Sequence, residues 1–212
     1  MEIKNLKINF LGDSITEGIG VSSPDKKYVE TFARKYSPVA VRNYGISGTR
    51  LARQMTPTVA NPRFDLDFCS RVAEMDEDAN AVVVFGGTND FGHGDAPMGC
   101  FEDRTPDTFY GACHTLMSSL IEKYPTATIV FMTPLHRAVE ERADRAPLSV
   151  FVEIIRQVAA YYAIPVLDLY TMSGIQPQLE VQRKAYAPDG LHPNDAGAER
   201  IADRLAAFLM GL

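Results

Sequence analysis

The chain has 212 residues, 46% of them hydrophobic and 23% charged, enough apolar material for a sizeable core in an ordinary globular protein. Its formal net charge is −6, against the basic footprint of a nucleic-acid binder, and no apolar run approaches the ~20 residues of a membrane-spanning helix. Glu2, Lys4 and Lys7 interrupt any signal-peptide core, and Cys69, Cys100 and Cys113 are odd in number without metal-site spacing. The expectation is a cytoplasmic protein with reduced thiols, no nucleic-acid partner and no transmembrane segment.

In chain order, KINFL (Lys7 to Leu11) predicts the first strand, and residues 27–37 suggest a helix. VAVRNY (Val39 to Tyr44) and AVVVF (Ala81 to Phe85) predict the next two strands. The second is apolar throughout, as in a strand covered on both faces. Residues 106–124 suggest a helix, ATIVFM (Ala127 to Met132) a fourth strand and IPVLDL (Ile164 to Leu169) a fifth. Between those two strands, Leu148, Phe151, Val152, Ile155, Ala159 and Tyr162 recur at steps of three and four. Ile201, Leu205, Phe208 and Leu209 do the same in a last helix starting near the cap-like Asn194 and Asp195. No repeat or linker divides the chain, so residues 1–212 are expected to form a single α/β domain with a parallel sheet covered on both sides. Ligands of such sheets bind at the carboxyl ends of the strands.

The residues found there are chemically distinctive. Gly12-Asp13-Ser14 follows strand one, and Asn43-Tyr44-Gly45-Ile46-Ser47-Gly48 runs off strand two. Gly86-Gly87-Thr88-Asn89-Asp90 follows strand three, and Asp189-Gly190-Leu191-His192-Pro193-Asn194 precedes the last helix. Singly, each fits a cap or a turn. Together they hold a hydroxyl nucleophile (Ser14), a base (His192), a carboxylate three residues away to orient it (Asp189), and donors for an oxyanion. Those donors are the N–H groups of Ser14 and Gly45 and the Asn89 amide. A dinucleotide fingerprint fails because Ser14 and Glu17 stand where glycines are required. A P-loop fails because five residues separate Gly12 from Gly18 and Ile19 follows.

Four blocks in this order resemble the SGNH hydrolases of the GDSL esterase family: GDS at 12–14, Gly45, G-x-N-D at 87–90 and D-x-x-H at 189–192. The resemblance implies a flavodoxin-like, three-layer α/β/α sandwich around a five-stranded parallel sheet. It also implies a serine esterase without cofactor or metal, acting on small-molecule esters such as O-acetyl or lipid esters. Ser14 would be the nucleophile, His192 the base and Asp189 its orienter, with Ser14, Gly45 and Asn89 forming the oxyanion hole. Asp13 and Asp90 read as braces of their turns. Residues 91–100 are placed to line a substrate pocket; Arg137, in TPLHR after strand four, is left aside, though it could reach the rim and meet a polar or anionic substrate. Two alternatives stay open. One is a metal-dependent phosphoesterase using Asp13, Asp90, His93, Asp95 and His192; the other is a non-catalytic member binding an acyl group or carbohydrate.

Overall fold

The computed structural model describes residues 1–212. Five parallel strands form one sheet in the order β2-β1-β3-β4-β5: β1 (Lys7–Gly12), β2 (Ala40–Gly45), β3 (Ala81–Phe85), β4 (Thr128–Met132) and β5 (Val166–Leu167). Side chains alternate across it. Ile8, Phe10, Val83, Phe85, Val130 and Met132 face α2 (Tyr28–Tyr36) and α9 (Asp195–Met210). Leu11, Val82, Val84, Ile129 and Phe131 face α3 (Phe68–Arg71), α5 (Phe109–Lys123) and α6 (Leu148–Tyr161). The two cores hold 23 and 27 buried residues, so neither face of the sheet is left open, and the architecture is a flavodoxin-like three-layer sandwich. No helix is long and apolar enough to cross a membrane.

The expected helices form with small shifts at their ends. Thr108 Oγ1 accepts from Gly111 N–H (3.1 Å), so α5 starts at Phe109 rather than 106. Asn194 Oδ1 accepts from Gly197 N–H (3.0 Å) and opens α9. Strand five is shorter than Ile164 to Leu169. Pro165 has no N–H to give a ladder, and the Asp168 carboxylate turns to cap α7 (Leu169–Met172) and to accept from Thr133 Oγ1 (2.9 Å). Helices α8 (Glu180–Tyr186) and α3 are among those that the sequence pattern does not predict.

The topology fixes where a ligand can sit. The chain leaves β1 toward β2 on one side and returns to place β3 on the other, which opens a crevice at the carboxyl ends of β1 and β3. Gly12 is in register with both Gly45 and Phe85, so three strands end at one level. Two short helices begin at that level, α1 (Ser14–Glu17) after β1 and α4 (Thr88–His93) after β3.

Candidate active site

Gly12 lets the chain fold back sharply after β1. A Cβ there would stand 2.0 Å from Thr16 Oγ1 and 3.0 Å from Phe85 O. Asp13 caps α1, its Oδ1 accepting from Ile15 N–H at 3.0 Å, and Gly18 (φ 102°) ends the helix after one turn. Ser14 is therefore the first residue of α1, and its N–H has no intrahelical acceptor.

Ser14 Oγ lies 3.0 Å from His192 Nε2, across 178 residues of sequence. His192 Nδ1 lies 2.7 Å from Asp189 Oδ2. The other oxygen, Asp189 Oδ1, accepts from the N–H groups of Leu191 (2.8 Å) and His192 (2.7 Å). Gly190, at φ 82°, makes this tight turn possible, and its carbonyl accepts from Ala138 N–H (2.8 Å), which holds the loop against the end of β4. Burial pushes the Asp189 carboxyl up, but the bonds from His192 and the two backbone N–H groups more than offset this and hold it below its ordinary value. With an ionised carboxylate opposite Nδ1, the ring proton sits on Nδ1 and the Nε2 lone pair faces the serine hydroxyl.

Asn89 is buried, and its Nδ2 donates to Thr49 O (2.9 Å). Asp90 supports the same segment from behind, its two oxygens accepting from Leu51 N–H (3.0 Å) and Ala52 N–H (2.9 Å). Burial pushes the Asp90 carboxyl up to about 6 against the pull of those bonds, and Asp13, fully enclosed, up to about 7.

One expected donor is not free. The Gly45 N–H donates to Asn43 Oδ1 (2.9 Å), and a Cβ on Gly45 would meet the backbone of Glu17 at 2.2 Å. Gly45 thus serves the close approach of β2 to α1 and is not available as an oxyanion donor. Three residues on, Gly48 (φ 77°) has an N–H that donates to no protein atom. Gly48 lies between Ile46, whose N–H bonds Gly12 O (3.1 Å), and Thr49, which receives the Asn89 amide. The signal was present in Gly45-Ile46-Ser47-Gly48, where two glycines compete for one role.

A second residue was invisible in the sequence. Arg71 is 4% exposed and donates to Tyr44 O (2.7 Å), Gly12 O (3.1 Å) and Thr49 Oγ1 (3.1 Å). One guanidinium thereby ties the ends of β1 and β2 to the loop that carries Gly48. Nothing near Arg71 in sequence marks it, because all three acceptors are at least 22 residues away.

The five side chains of the metal reading do not converge. Asp13 and Asp90 cap backbone, and Asp95 accepts from Met55 and Thr56 N–H (2.8 Å each). His93 Nδ1 lies 2.9 Å from Arg50 Nη1, which only donates, so that nitrogen is an acceptor, and burial pushes His93 down to about 4. No group of three His, Cys, Asp or Glu side chains is arranged to hold a metal ion.

Residues 10–200 match the model of the GDSL-like lipase/acylhydrolase family. Over 68% of its length the chain is 29% identical to a protein named GDSL lipase from Mycobacterium tuberculosis, and the match covers 54% of that protein, so the chain spans about half the length of this curated relative. A solved structure of a Lactobacillus plantarum protein is 30% identical, with a TM-score of 0.86 over 98% of both chains. A possible lipase from Chitinophaga pinensis is 21% identical with a TM-score of 0.72 over 98% of both chains, a likeness that concerns the fold.

Proposed function

Because the chain belongs to the GDSL-like lipase/acylhydrolase family, we propose that residues 1–212 act as one hydrolase domain that cleaves small acyl esters, O-acetyl or lipid esters among them, through an acyl-enzyme on Ser14. The observation that carries the reading is the continuous Ser14–His192–Asp189 hydrogen-bond chain, at 3.0 and 2.7 Å.

In this mechanism, Ser14 Oγ attacks the ester carbonyl while His192 Nε2 takes its proton. The carbonyl oxygen becomes an oxyanion and accepts from the Ser14 and Gly48 N–H groups and the second Asn89 amide hydrogen. Collapse breaks the bond to the alcohol, which leaves with the proton from Nε2. Water then attacks the acyl-enzyme, giving one proton to His192; the acid departs and the proton returns to Ser14 Oγ. Asp189 holds the ring and stabilises the imidazolium at each transfer.

A fluorophosphonate should label Ser14, and Ser14→Ala and His192→Ala should each abolish hydrolysis of p-nitrophenyl acetate with circular dichroism unchanged. Labelling at another residue, or full turnover in Ser14→Ala, would overturn the assignment.

A further inference from the structure

Four arginines surround α4, and three of them have acids. Arg50 pairs with Asp65 (3.1 Å), and Arg142 and Arg145 share Asp144 (3.0 Å each). Arg137 has no carboxylate within 4.0 Å. Its Nη1 donates to Thr88 O (2.8 Å) and Thr88 Oγ1 (3.3 Å), one residue before Asn89. Its chain neighbour Ala138 bonds Gly190 in the Asp189–His192 loop. The guanidinium lies over the Phe91 ring, 5.2 Å from the centroid. It stands at the rim between the Asn89 block and the histidine loop.

The acids that Arg137 feels are committed elsewhere. Glu140 Oε1 accepts from the Arg137 backbone N–H (2.8 Å) and lies 2.7 Å from His136 Nδ1, while Oε2 accepts from Tyr170 OH (2.8 Å). Asp189 serves His192, and Asp13 caps α1. Burial holds the Arg137 pKa below its usual range, so keeping this cation here costs free energy that no internal acid fully offsets.

The free part of the group has a definite shape. Nε and Nη2 donate to no protein atom, and neither is sealed from solvent, in contrast to the enclosed Nε atoms of Arg50 and Arg71. Nε–H and Nη2–H form the edge of a guanidinium that makes two parallel bonds to one carboxylate. A residue needed only to hold Thr88 O would not require a second open edge.

We propose that Arg137 binds an anionic group on the substrate, a carboxylate by preference, and so selects esters that carry negative charge near the scissile bond. This rests on the hydrolase reading above and adds the substrate class to it.

The test compares charged and neutral esters of matched shape on both sides of the bond. Mono-p-nitrophenyl adipate against p-nitrophenyl hexanoate probes the acyl side; 4-acetoxybenzoate against its methyl ester probes the leaving group. In the wild type, kcat/KM should favour the charged member of at least one pair by about 10-fold or more, the scale of one hydrogen-bonded charge contact. That ratio should fall toward one in Arg137→Gln and keep part of its value in Arg137→Lys, which retains charge without the fork. Raising the salt concentration should lower the wild-type ratio, a readout that needs no variant. A wild-type ratio at or below one in both pairs, or a ratio unchanged in Arg137→Gln, overturns the proposal while leaving the esterase reading intact. Absence of Ser14-dependent turnover of all four esters would strike the esterase reading itself.

Discussion

Replacing Asp189 by asparagine should damage the reaction more than replacing it by alanine. Asp189 Oδ1 is fixed by two backbone donors, Leu191 N–H at 2.8 Å and His192 N–H at 2.7 Å. In Asp189→Asn, the amide oxygen takes that place and the NH2 group turns toward His192 Nδ1. Nδ1 must then accept, the ring proton moves to Nε2, and the nitrogen facing Ser14 can no longer take a proton. Flipping the amide to restore the working tautomer gives up two hydrogen bonds, each worth about 0.5–1.5 kcal/mol. The Asp189 side chain is 54% exposed, so water recovers part of this, leaving about 1–2 kcal/mol against the working state. Asp189→Ala loses the carboxylate equally but imposes no tautomer. Asparagine should therefore lower kcat/KM for p-nitrophenyl acetate roughly 10-fold further than alanine. Nitrogen NMR of His192 should find the proton on Nδ1 in the wild type and on Nε2 in the asparagine variant. An asparagine variant as active as alanine, with its proton still on Nδ1, would refute the reasoning.

Asn89→Ala should reduce kcat by ~10²–10³ with KM little changed, the scale of one lost oxyanion donor; a raised KM at constant kcat would assign Asn89 to ground-state binding. Arg71→Met should cut kcat roughly 10²-fold through misplacement of the β1 end and the Gly48 loop, without touching substrate, so wild-type kinetics in a folded variant would remove Arg71 from the positioning network. Asp13 concerns stability. Its pKa is raised from 3.8 to about 7 by burial, so the stabilisation it contributes is full below pH 4 and lost as pH rises through 7. Asp13→Asn removes that loss, and its urea midpoint should gain on the wild type between pH 5 and pH 8; parallel profiles would contradict the raised value. Incubation with EDTA should leave the hydrolysis rate unchanged, and loss of activity restored by a divalent ion would revive the metal reading.

What the sequence made legible was whatever local chemistry decides. AVVVF is a buried central strand because every side chain is apolar; α6 follows from apolar spacing, and α9 from apolar spacing and its Asn194 cap. The Asp189–His192 contact is also local, three residues on one turn. The glycine donor was harder to read. Both Gly45 and Gly48 leave β2, and only the conformation of Asn43 decides which N–H is occupied. Arg71 lay beyond reach, and although Asp90 read as a brace, the Leu51 and Ala52 backbone it holds did not, since these partners come from segments that meet only in the folded chain. Strand five was overextended because an edge strand pairing only with β4 is limited by Pro165 and by the capping duty of Asp168.

The separation of Ser14 from His192 also bears on the order of events during synthesis. A growing chain gains Ser14 178 residues before His192. The loop bearing His192 is held by Ala138 on one side and runs into α9 on the other, and α9 packs on α2 and the N-terminal face of the sheet. Until α9 docks, the serine has no partner and remains an ordinary alcohol. If Ser14 is the nucleophile, recovery of its labelling during refolding should follow the docking of α9.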